Sequence, residues 1–174
     1  TGNYIDNSFV EWTNEYEASP GFSSQFSFGG LTLTGNSFMA SDVAPWFRWI
    51  VIKPYGAGHF IQGLNVSGNV FRVTNATIDR VEAVDTTFAG LDMSRMRNVL
   101  FQGNSFNGVT QNTENPTLWQ HDQAAAATVW SVLPGAVLPF GAWARNVEGL
   151  VAEGVISGPA NERRSDMPYV DVEQ

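Results

Sequence analysis

A Gly-Asn pair recurs through the first two thirds of this chain at near-constant spacing. The pairs are Gly2-Asn3, Gly35-Asn36, Gly68-Asn69 and Gly103-Asn104, separated by 33, 33 and 35 residues. The surrounding phrase recurs with them: "LTLTGNSF", "LNVSGNVF" and "VLFQGNSF" share an alternating apolar run before the pair and a large apolar residue just after it. Those following residues are Ile5, Phe38, Phe71 and Phe106. Alternation of period two describes a half-buried strand. Gly and Asn both tolerate positive φ, so the pair ends one strand and turns the chain sharply into the next. A unit of strand, corner, strand and longer excursion that repeats at this period implies stacked coils.

The stack that accommodates such units is an all-β, right-handed parallel β-helix with repeats of about 33 residues, each coil about 4.8 Å above the last. Equivalent residues then lie over one another. Asn3, Asn36, Asn69 and Asn104 are expected to form an Asn ladder at one corner, and Ile5, Phe38, Phe71 and Phe106 an apolar stack inside. Four unrelated turns in a β-sandwich would also supply Gly-Asn pairs, but not their common period and context. The expected organisation is parallel β-helix coils over 1–111 and a C-terminal β-rich cap, terminal coils or oligomerisation segment over 112–174. Within that second part, 129–133, 136–138, 150–152, 155–157 and a final edge strand from Tyr169 read as strands. Thr1 stands just before a corner, with no preceding strand and no cap over the first coil, so the expectation is the C-terminal part of a longer β-helix.

Composition narrows the functions. Nine Lys plus Arg against 17 Asp plus Glu leave a net charge of −8. That balance argues against phosphate backbones, which need a basic face, and nucleic acid is not an expected partner. No apolar run reaches the length of a membrane span, so no membrane insertion is expected. With no cysteine, disulfides and thiolate chemistry are excluded, while cytosol, phage particle and cell exterior all stay open.

Two sets of residues stand out chemically. Asp79, Glu82 and Asp85, with Arg80 among them, form the densest acidic stretch. If Ile78, Val81, Val84 and Phe88 face the core, some of these acids share an outer face. Two carboxylates a few ångströms apart could then act on a glycosidic bond or hold calcium. No motif fixes such roles, and a solvated face of alternating charge is the plainer reading. No cofactor is expected, and no calcium motif is present. The second set is aromatic: Trp12, Tyr16, Trp46 and Trp49 are candidates for stacking on a sugar ring, against the commoner fate of Trp in cores and interfaces. His59 and His121 stand in no metal-ligand spacing.

The Gly-Asn coils "LTLTGNSF", "GLNVSGNVF" and "NVLFQGNSF" resemble the pectate-lyase-like superfamily of right-handed β-helix proteins. Within it the chain looks most like the spikes of phages and of phage-derived particles such as gene transfer agents. That resemblance implies a homotrimer, placed outside the cell or on a virion or phage-like particle, that binds bacterial surface or capsular polysaccharide. It implies as an alternative a polysaccharide lyase or glycoside hydrolase.

Overall fold

A computed structural model describes residues 1–16, 27–123, 125, 127–134, 137–158, 160–165 and 168–172. The chain is nearly all-β, and its strands fall into three parallel sheets. In chain order they are β1 (Tyr4–Asp6), β2 (Val10–Asn14), β3 (Phe28–Thr34), β4 (Ser37–Ser41), β5 (Ile50–Pro54), β6 (Ile61–Ser67), β7 (Val70–Thr74), β8 (Glu82–Val84), β9 (Arg97–Gln102) and β10 (Ser105–Asn107). The sheets are β1-β4-β7-β10, β2-β5-β8 and β3-β6-β9. Each strand pairs with the third one along the chain, so the chain visits the three sheets in turn and returns one layer on. This arrangement is compatible with a parallel β-helix.

The register follows the sequence period. Phe38 lies opposite Phe71 and Leu31 opposite Leu64, each 33 residues on. At β9 and β10 the offset becomes 35, as in Val66 opposite Phe101 and Val70 opposite Ser105. The inserted residues are absorbed in the excursion between β8 and β9, which carries a single 3-10 turn, Met93–Arg95.

The repeated pair makes the corner. Gly2, Gly35, Gly68 and Gly103 have φ of 68°, 64°, 63° and 64°, a left-handed conformation in which a side chain is strained. Each following asparagine then reaches one layer on. Asn3 Nδ2 donates to Asn36 Oδ1 (3.1 Å), Asn36 Nδ2 to Asn69 Oδ1 (2.9 Å), and Asn69 Nδ2 to Asn104 Oδ1 (3.0 Å). The same oxygens accept the backbone amides of Asn3, Asn36 and Asn69. Corner amides that no sheet ladder reaches are thus satisfied, which is what permits a sharp buried bend.

The core runs down the middle of the stack. Phe71 lies nearly parallel between Phe38 and Phe106, with ring centroids 4.8 and 5.7 Å away, and Trp49 approaches it at 5.4 Å. Ile50, Ile52, Ile61, Leu64, Val66, Ile78, Val81 and Phe101 complete it, all buried.

The segment after Gln111 corrects part of the expectation. Among its described residues there is no strand, only isolated antiparallel bridges, Phe101 with Asn115 and Ser157 with Arg163, and a short 3-10 turn, Pro139–Gly141. The expected strands at 129–133, 150–152 and 155–157, and the described part of the one from Tyr169, do not form. Residue 136, within the expected 136–138 strand, lies outside the described residues. Apolar alternation alone was the signal there, without the Gly-Asn corner that supplies a neighbouring layer to pair with. Part of the segment closes the last layer of the stack. Asn115 exchanges backbone hydrogen bonds with Phe101, both 2.9 Å. Phe140 meets Phe101 edge-to-face at 6.2 Å, and Leu138 is buried.

Candidate functional site

The three acids do not converge. In β8 the alternation of the strand turns Glu82 inward, where it is 1% exposed. There its Oε1 accepts Arg80 Nε at 2.8 Å and Arg80 Nη2 at 2.7 Å. Thr113 Oγ1 donates to Oε2 (2.8 Å), and the Phe140 amide to Oε1 (3.1 Å). Burial pushes the Glu82 carboxyl above the usual carboxylate range, opposed chiefly by the Arg80 charge and then by the Thr113 and Phe140 donors. Arg80 also donates to the Leu138 carbonyl, so this buried ion pair ties the end of the stack to the segment that closes it.

Asp79 and Asp85 each hold a different cation. Asp79 pairs with Arg48 at 3.3 Å and Asp85 with Lys53 at 3.0 Å. The shared acidic face expected from sequence is therefore three separate ion pairs, one of them internal. Among the described residues no group of three or more His, Cys, Asp or Glu side chains is placed to hold a metal ion. His59 is buried beside the Phe28 ring, with Nε2 2.9 Å from the Tyr16 carbonyl oxygen, while His121 is exposed beside Gln123.

The four candidate aromatics separate as well. Trp49 is fully buried among Phe38, Phe47 and Phe71, so it cannot stack on a sugar. Trp12 is half-buried, with its ring edge-to-face against Phe28 at 5.2 Å. Trp46, 78% exposed in the connection between β4 and β5, and Tyr16, exposed after β2, do present rings to solvent.

A different aromatic surface is assembled on the outer side of the β2-β5-β8 sheet. Ile50, Ile52 and Pro54 of β5 point inward, which turns Lys53 outward. The ladder continues one residue past β8, where the Asp85 amide donates to the Ile52 carbonyl at 2.8 Å. That places Asp85 beside Lys53. Thr87 gives Asp85 Oδ1 both its hydroxyl and its amide. These bonds, with the Lys53 ammonium, hold the Asp85 carboxyl down at about 2. Asp85 in turn raises the Lys53 pKa. Just beyond the pair, Tyr55 and Phe88 lie stacked, centroids 4.4 Å apart and 19° from parallel. The Lys53 ammonium is 5.9 Å from one ring centre and 5.7 Å from the other.

Phe88 was expected in the core and is instead 56% exposed. The repeat period does not reveal it. β5 and β8 pair with an offset of 32, so Phe88 lies one residue beyond the position in register with Tyr55, and its ring turns back onto Tyr55 only after the ladder has ended. Reading Phe88 with Ile78, Val81 and Val84 as one inward strand missed that the chain leaves the sheet at Asp85. Of those three, Ile78 and Val81 are buried and Val84 half-buried.

No protein-family model matches the chain, and neither the curated proteins nor the solved structures hold a match to it.

Proposed function

We propose that this chain belongs to an adhesive surface spike that binds bacterial surface or capsular polysaccharide. In this reading it is a right-handed parallel β-helix of pectate-lyase-like type. It works as a homotrimer outside the cell or on a virion or phage-like particle. The observation that carries the binding role is the Tyr55-Phe88 platform with the Lys53-Asp85 pair beside it. Flat rings offer a stacking face for the C–H side of a pyranose, and the paired charges offer donors and acceptors for its hydroxyls. Both rings stand on successive layers of a packed stack, so little ordering is needed on binding.

Self-association is supported by the surface. Much of the exposed apolar surface lies after Gln111: Leu118 is 96% exposed, Leu133 85%, and Tyr169 90%, with Trp130, Trp143, Val147, Leu150 and Val151 also exposed. Large apolar side chains left open in that number favour a covering partner, which in a spike is a sister chain.

The binding role is tested with Tyr55→Ala/Phe88→Ala and a panel of purified capsular and surface polysaccharides. We expect about tenfold weaker binding of the glycan that the wild-type chain takes, the scale of losing one aromatic stack of about 1.5 kcal/mol. Equal binding by the two proteins would remove this platform from the account.

A further inference from the structure

In a chain with 17 Asp plus Glu and 9 Lys plus Arg, there are enough carboxylates for every cation. Arg48, Lys53, Arg80 and Arg164 each pair with one. Among the described residues the other five, Arg72, Arg95, Arg97, Arg145 and Arg163, have no carboxylate within ion-pair distance, and of these Arg95 and Arg97 share one site, with Arg97 Nε donating to the Arg95 carbonyl at 3.2 Å. They flank Met96 where the chain enters β9, and both guanidinium groups lie over the ring of Phe60, 4.0 and 5.6 Å from its centroid. Phe60 is completely buried. Asp92, the nearest acid in sequence, is engaged locally, its Oδ1 accepting the amide and hydroxyl of Ser94. A third guanidinium, that of Arg145, donates to the Met96 carbonyl.

Two positive centres over one ring lie closer together than a Debye length, roughly 10 Å at 0.1 M salt, so they repel with little screening. The π face of Phe60 attracts each of them and fixes their positions. An oxyanion bridging the two would convert the repulsion into two charge-assisted contacts. The planar donor forks of arginine suit a carboxylate or a sulfate.

We propose that Arg95 and Arg97, seated on Phe60, form an oxyanion-binding site that takes a carboxylate or sulfate group carried by a glycan. The site rests on the polysaccharide reading only for the carrier of the anion. It lies at the start of the β3-β6-β9 sheet, whereas the Tyr55-Phe88 platform lies beside the β2-β5-β8 sheet.

Calorimetric titration of the full chain with a heparin hexasaccharide, a galacturonate hexasaccharide, dextran and inorganic sulfate, each separately, tests the site. Both acidic oligosaccharides are expected to bind, more weakly as salt is raised. Arg97→Gln is expected to lower their affinity about tenfold, and Arg95→Gln/Arg97→Gln to lower it further, with the response to dextran unchanged. Arg97 is exposed, and its replacement leaves Arg95 covering Phe60, so the single variant should keep the wild-type unfolding midpoint. Acidic oligosaccharides that bind equally well to wild type and both variants would overturn the site and leave the polysaccharide reading standing. Sulfate captured through the arginines, with none of the oligosaccharides bound, would uphold an anion site but overturn its assignment to a glycan-borne group. If no acidic probe binds at all, the site falls.

Discussion

Glu82→Ala will destabilise the chain by about 3–5 kcal/mol, the range for removing one partner of a buried ion pair. The carboxylate is the common acceptor for Arg80, Thr113 and the Phe140 amide inside the stack. Its removal leaves a guanidinium with 13% side-chain exposure without its counter-charge. It also leaves the Thr113 hydroxyl and the Phe140 amide without this acceptor. The damage will reach the closing segment, because Arg80 and Phe140 are what fasten it there. Glu82→Gln keeps an oxygen for Arg80 and should lose clearly less. Urea unfolding of the two variants, with Arg164→Ala at the exposed Arg164-Glu162 pair for comparison, measures this. A loss at Glu82→Ala no larger than at Arg164→Ala, where about 1 kcal/mol or less is expected, would show that the buried pair does not hold the end of the stack.

Asn69→Ala should be comparably severe, and its cost should depend on position along the ladder. Asn69 is 1% exposed. Its Oδ1 accepts both the amide and the side-chain Nδ2 of Asn36, and its own Nδ2 donates to the Leu33 carbonyl and Asn104 Oδ1. Alanine strands a backbone amide and a carbonyl at a corner that water does not reach. Each such group costs about 1–3 kcal/mol, so a total of about 3–5 kcal/mol is expected. Asn3 is exposed and lies at the end of the ladder, so Asn3→Ala should cost about 1 kcal/mol or less, near the worth of one ordinary hydrogen bond. Equal losses at the two positions would mean that the ladder is not the source of corner stability.

The fold was legible because the same residues set both the local turn and the layer-to-layer register. Gly-Asn at 33-residue spacing fixes a positive-φ corner and, by repetition, which strand lies beside which. The stacking of Phe38 on Phe71 follows from their 33-residue spacing alone. Glu82 was misplaced because the sequence shows a run of alternating charge and hides the inward turn at β8. Its partners Thr113 and Phe140 are also far away along the chain. Phe88 was misplaced by extending a strand past Asp85, where the chain leaves the sheet and no strand alternation governs which way the ring turns. Trp49 and Trp46, three residues apart, have opposite fates because the turn before β5 buries one and exposes the other. Nothing in the local pattern around 129–157 distinguishes a strand from an extended apolar segment without a partner.

The central claim, that this chain is a subunit of a self-associating spike, is tested most directly by its mass in solution, measured by light scattering on a sizing column. The account predicts a species of three times 19.0 kDa, persisting on dilution because the apolar surface after Gln111 is covered by sister chains. A monodisperse species at 19.0 kDa across the same dilutions would contradict it.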